Sequence, residues 1–150
     1  MTRFKLHLRP QSLADTHKDF ELQPLPPGKS VVDVFADFLA YLLLCAKTYI
    51  IDSHPSGQSL WDSVESDFDV VLSHPNGWAG MQQEKMRQAA VKAKLVEDSA
   101  VGRRRVSFVT EGEASVQYCV GLGMAVGSIK VRNYAEGWIL APFILSQSGG

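Results

Sequence analysis

From Val31 to Ile51 the chain is largely apolar, with only Asp33, Asp37 and Lys47 charged, over about the length a bilayer core requires. Carboxylates at the centre of a span are costly in hydrocarbon. The apolar residues also recur at helical spacing. Val34, Phe35, Phe38, Leu39, Leu42, Cys45, Ala46 and Tyr49 share one face, while Asp33, Asp37, Ala40 and Lys47 fall elsewhere. The pattern predicts a buried amphipathic helix with a broad apolar stripe rather than a membrane span. Ser30 offers its N-cap, and Asp33 stands three residues on, a variant of the capping box.

The segments around this helix read as a mixed α/β chain. Phe4, Leu6 and Leu8 alternate with Lys5, His7 and Arg9, the period-two pattern of a half-buried strand that Pro10 stops. Residues 11–29 are polar and proline-rich, closing on Pro24-Leu25-Pro26-Pro27-Gly28, an extended connection and turn. His54-Pro55-Ser56-Gly57 marks a loop before a short helix over 60–65. A β-branched apolar strand follows over 68–73, ended by Pro75-Asn76-Gly77. A second helix is predicted over 79–94, with Met86, Ala89, Ala90 and Ala93 inward. After a loop through Gly102, a buried strand over 106–109 and a helix over 113–120 complete the pattern. Strand, helix, strand, helix predicts a parallel pair with a right-handed crossover. From Gly121 onward the periodicity fades, and the apolar run from Trp138 to Leu145, broken by Pro142, carries no assignment.

Composition narrows the function classes. With 150 residues, 45% hydrophobic and 21% charged, the chain suits one globular domain with a real core. A net charge of −1 argues against a general nucleic-acid binder. Its one basic cluster, Arg103-Arg104-Arg105, reads as a solvated strand edge. Cys45 and Cys119 both lie in apolar runs, which suits buried free thiols in a reducing compartment. The first residues carry charge without an apolar signal region. A cytoplasmic protein with no membrane and no nucleic-acid partner is expected.

The stretch from Asp69 to Gly121 resembles the ATPase domain of the seventy-kilodalton heat-shock proteins, most of all the divergent fungal branch related to heat shock protein twelve-A. The residues that carry it are Val70-Val71-Leu72-Ser73-His74-Pro75-Asn76-Gly77-Trp78, then Met86-Arg87-Gln88-Ala89-Ala90 to Lys94-Leu95, then Phe108-Val109-Thr110-Glu111-Gly112-Glu113-Ala114-Ser115. With looser upstream similarity, the resemblance covers about residues 4–124. It implies an α/β fold: part of one lobe of an actin-like (ribonuclease H-like) ATPase, a small sheet flanked by helices. The whole of 1–150 is then a single incomplete domain with a divergent tail over 125–150.

The resemblance also implies site residues. Pro75 matches the proline that couples nucleotide state to the substrate domain, an interdomain switch. Glu111 matches the catalytic acid that helps place magnesium and the attacking water beside the γ-phosphate, so ATP and magnesium are the implied cofactors. Partners would be other chaperone chains or protein clients. Departures accompany these matches. Gln83 stands where the family places an arginine that works with the proline, and Gly112 and Glu113 replace a proline and a threonine. The family's glycine-threonine phosphate loop and catalytic lysine precede the matched stretch, and no aspartate–glycine–glycine loop follows Val120. Such loops supply most of the grip on phosphate. The expected function is therefore a fragment of a heat-shock-like ATPase domain unable to hydrolyse ATP alone. The alternative is a non-enzymatic interaction module derived from that fold.

Other chemistry is weaker. Gly121, Gly123 and Gly127 follow a helix, not a strand, the wrong setting for a dinucleotide loop. His7, His17, His54 and His74 lack metal-ligand spacing to each other or to the cysteines, so no metal site is predicted and each reads as an ordinary structural histidine. Ser73-His74 is not a nucleophile–base pair, because adjacency supplies no orienting acid. Glu111 and Glu113 suit a helix N-terminus. Arg104-Arg105-Val106-Ser107 has a basophilic-kinase pattern, with Ser107 expected to be covered in its strand.

Overall fold

The computed structural model describes residues 4–9, 22–78, 80–121, 139–140 and 143–147. It is a mixed α/β fold. After a 3-10 helix at Phe4–Leu8 come α1 (Val31–Ser53), α2 (Gly57–Val64), β1 (Phe68–His74), α3 (Met81–Lys92), α4 (Ala100–Arg104), β2 (Val106–Thr110), α5 (Glu111–Gly121), β3 (Ile139–Leu140) and β4 (Phe143–Gln147). The sheet order is β2-β1-β4-β3. The predicted parallel pair is present: β1 and β2 run together from Val70 opposite Val106 to His74 opposite Thr110. Its other neighbour, β4, is antiparallel and pairs Phe68 with Gln147 through Leu72 with Phe143.

Central position explains the composition of β1. Phe68, Val70, Val71, Leu72 and His74 are all buried, so both faces of the strand are covered around the apolar run Val70-Val71-Leu72. Val70, 0% exposed, and Leu72, 2% exposed, each contribute on the order of 1.5–3 kcal/mol by leaving water. Trp61 of α2 is equally buried and packs its ring 6.4 Å from that of Phe68.

Local signals start and stop the helices. The Ser30 hydroxyl accepts from the Asp33 amide at 3.2 Å, and the Ser30 amide donates to the Asp33 carboxylate at 2.7 Å, which closes the predicted capping box. Asp33 is also ion-paired with Lys92 at the far end of α3, so the same carboxylate joins two helices. The Lys92 ammonium, followed by the Ser30 hydroxyl and amide, holds the Asp33 carboxyl far below the usual carboxylate range. Helix α3 stops in a Schellman turn: the Leu95 amide donates to the Ala90 carbonyl at 3.0 Å and the Lys94 amide to Val91 at 2.9 Å. Lys94 takes the left-handed position with φ of 60°. On α3, Met86, Ala89 and Ala90, with Ala93 just past its end, are buried as their spacing predicts. Helix α1 packs against α3 and α2.

Several expectations are corrected. Residues 4–8 are a 3-10 helix, not a strand. Leu8 is buried, and the Phe4 ring sits edge-on to Phe35 at 4.9 Å and to Phe38 at 5.3 Å, contacts that draw this short segment onto α1. The buried stripe of α1 is narrower than predicted: Phe35, Ala36, Leu39 and Ile50 are buried, whereas Phe38, Tyr41, Leu44, Cys45 and Tyr49 are exposed. Among the described residues α1 is the one helix long and apolar enough to cross a membrane, and 22% of its apolar window is buried. Cys119 is exposed as well, so neither thiol is a core residue. The segment expected as a loop through Gly102 contains α4, capped by the Ser99 hydroxyl, which accepts from the Gly102 amide at 2.9 Å. The run left unassigned after residue 121 supplies β3 and β4. His17, Gly123, Gly127 and the apolar-run residues Trp138 and Pro142 lie outside the described residues.

The arginine cluster is not a solvated edge either. Arg105 donates to the backbone carbonyls of Ser66, at 2.7 Å, and Phe68, and its guanidinium lies 5.9 Å from the Phe68 ring. Arg103 pairs with Asp98 at 2.9 Å and Glu84 at 3.3 Å. Arg104 alone of the three is exposed. Ser107, expected to be covered, is exposed on β2, with its hydroxyl 3.5 Å from the Val70 carbonyl.

Candidate functional site

Parallel strands gather their following residues at one end of a sheet, and α/β proteins bind ligands at that end. Here His74 and Thr110 are the last paired residues of β1 and β2, so Pro75 and Glu111 both emerge at the same edge. The two sequence-predicted site residues are thus brought to one end of the fold by register alone.

What surrounds them is already engaged. Glu111 opens α5, and its carboxylate lies 2.6 Å from the Lys5 ammonium, with both side chains about half exposed. Glu113 closes a capping box on Thr110. Its carboxylate accepts from the Thr110 amide at 2.7 Å and hydroxyl at 2.9 Å, while its own amide donates to that hydroxyl at 3.1 Å. The Thr110 amide, then its hydroxyl, hold the Glu113 carboxyl below the usual range, with a smaller contribution from His74. Amides at a helix start are where a phosphate would bind. On α5 one of those amides is committed to the Thr110 hydroxyl, and two carboxylates stand beside the rest.

His74 sits beneath this end of the sheet. Its Nδ1 is 2.9 Å from the Pro75 carbonyl, and its Nε2 is 3.0 Å from Nε2 of Gln83 on α3. The Pro75 carbonyl also accepts from the Trp78 amide at 3.3 Å. The ring packs on Phe108 at 6.1 Å, and the Arg87 guanidinium lies over that same phenyl ring at 4.9 Å. Arg87 donates on to the Arg103 carbonyl at 3.1 Å and pairs with Glu84 at 3.2 Å. Gln83, read from sequence as a departure beside the proline, bonds His74 and through it meets the carbonyl of Pro75.

Sequence reasoning missed the parts played by Lys5 and His74. Nothing in the sequence connects Lys5 with Glu111. His74 was legible only as the polar end of an apolar strand, the place where a buried imidazole needs two partners. Among the described residues no three His, Cys, Asp or Glu side chains group as metal ligands. Comparison with protein-family models, with curated proteins and with solved structures gives no match.

Proposed function

We propose that this chain is part of one lobe of a heat-shock-like, actin-type ATPase domain that does not hydrolyse ATP by itself. The observation that carries the reading is the state of the two carboxylates at the start of α5. Glu111 is ion-paired with Lys5, and the Glu113 carboxylate accepts from Thr110 in the helix cap. An acid that positions magnesium must have its oxygens free for the ion or its waters. A γ-phosphate approaching this helix start would meet two negative side chains before it met an amide. The parallel pair, with Pro75 and Glu111 at its common end, supports descent from the ATPase fold. ATP and magnesium are therefore the ancestral ligands of this site, not its present ones.

Calorimetry with ATP–magnesium on the purified chain tests the proposal, with Glu111→Ala as the control. The expected result is no stoichiometric binding at micromolar concentrations by either protein. Tight binding that disappears in the variant would overturn the reading and restore Glu111 as a magnesium-positioning acid.

The second reading, a non-enzymatic module working through other chaperone chains, is favoured by one feature of α1. Tyr41, Leu44 and Tyr49 are each 60% exposed or more, large side chains left in solvent on a helix of which only Phe35, Ala36, Leu39 and Ile50 are buried. Binding of such a chain should be unaffected by ATP and weakened by Leu44→Lys. Binding that required ATP would overturn this second reading and, with it, the claim that the nucleotide site is silent.

A further inference from the structure

His74 is the one polar or charged residue buried among the described residues, 4% exposed. A carbonyl oxygen only accepts, so the contact with Pro75 fixes the ring proton on Nδ1. An amide NH2 only donates, so the contact with Gln83 leaves Nε2 bare. The ring is the neutral Nδ1–H tautomer, bonded at both nitrogens. One bond folds the Pro75–Trp78 turn back on the end of β1, and the other reaches the first turn of α3.

We propose that this pair is an acid-operated latch holding the start of α3 to the end of β1. A second proton on the ring makes Nε2 a donor that faces the donors of Gln83. At 4% exposure His74 is largely shielded from solvent, so a lost bond is costly. The charged groups facing the ring pull in opposite directions. Arg87 of α3, against the shared Phe108 ring, opposes a cation at His74. Glu113 of α5 favours one, and the Thr110 hydrogen bonds keep its carboxylate ionised. Glu84 of α3 is occupied by Arg87 and Arg103, and β2 contributes Phe108 and Thr110, which carry no charge. The start of α3 lacks a side-chain cap. Its N-cap, Gly80, has φ of 43° and supplies no side-chain bond, and Met81 is 69% exposed. Protonation of His74 therefore releases this turn while α1 and the sheet remain in place.

This inference is independent of the nucleotide reading, since it needs neither ATP nor Glu111. Nitrogen-15 NMR of histidine-labelled full chain, with amide hydrogen exchange from about pH 7.5 to about pH 5, tests it. The expected neutral form carries its proton on Nδ1. Corrected for intrinsic exchange, protection of Glu84, Lys85 and Met86 falls about tenfold or more over this range, while α1 keeps its protection. Gln83→Glu gives the imidazolium an acceptor and abolishes the fall. A proton on Nε2 in the neutral form would overturn the latch. So would flat protection through the titration (the Gln83 amide then simply turns in place), a fall shared with α1, or an equal fall in Gln83→Glu.

Discussion

Glu111 and Lys5 are 106 residues apart in sequence and 2.6 Å apart in space, and their contact ties the 3-10 helix to the end of the sheet. Both side chains are about half exposed, at 48% and 49%, so solvent screens the pair. Lys5→Ala should lower unfolding stability in urea by less than about 1 kcal/mol, an effect that shrinks as salt is added. The same variant leaves Glu111 without its cation, the condition most favourable for recruiting magnesium. Calorimetry should still detect no ATP–magnesium binding, because Glu113 remains on the helix start. Binding gained by Lys5→Ala would show that the ion pair alone silences the site.

How much of this was legible in the sequence depends on which interactions set each element. Helix α1 and its capping box could be read from Ser30, Asp33 and the apolar spacing, because capping is local chemistry. The parallel pair was legible because strand and helix alternate along the chain, which calls for a crossover connection between parallel strands. The strand predicted at Phe4–Leu8 failed since five alternating residues do not distinguish a strand from a turn of helix whose Phe4 lands on α1. The width of the α1 stripe failed for a related reason. Apolar spacing gives the direction of a face, but which part is covered depends on where α2 and α3 lie. At the site, Pro75 and Glu111 were found by resemblance and then brought to one sheet end by register. Lys5 and Gln83 act across the fold, and sequence order carries no sign of their partners.

Lys94 occupies the left-handed position that ends α3, with φ of 60°. A side chain there is strained by its own backbone, whereas glycine is not. The Leu95 and Lys94 amide bonds that define the turn use backbone alone, so a substitution leaves them intact. Lys94→Gly should therefore raise stability by about 0.5–1 kcal/mol, read as a higher urea midpoint with an unchanged slope. A lower midpoint would mean that the Lys94 side chain makes a contribution larger than its strain.

Carboxylate-linked acid sensitivity should come from Asp33, Glu65 and Glu113, all held below the ordinary carboxylate range in the folded chain. A carboxyl depressed by folding stabilises the native state above its unfolded value. That contribution fades as pH falls through the folded value. Stability should thus decline as pH drops below about 4.5, and the Asp33 contribution should be the last to go. In Asp33→Asn the Lys92 partner loses its charge and the decline with acid becomes shallower. Urea titrations between about pH 6 and about pH 2.5 would check this, and an unchanged slope in the variant would remove Asp33 from the account.

Gly57 begins α2 where the chain turns tightly out of α1. A Cβ at this position would lie 2.3 Å from the Ile50 carbonyl oxygen and 2.6 Å from the Ile51 Cα. Both obstacles are backbone, so no side-chain rotation relieves them, and the two helices would have to separate. Gly57→Ala should cost about 1–3 kcal/mol. It should also disturb Trp61, four residues along the same helix and 2% exposed, which tryptophan fluorescence can follow. Gly28 supplies the comparison. Its φ of 74° penalises any side chain, yet nothing lies within 4 Å of the added carbon. Gly28→Ala should cost about 1 kcal/mol through its backbone alone and leave the tryptophan signal unchanged. If the two variants lost equal stability with the same fluorescence, close approach of α1 and α2 at Gly57 would not be what requires glycine there.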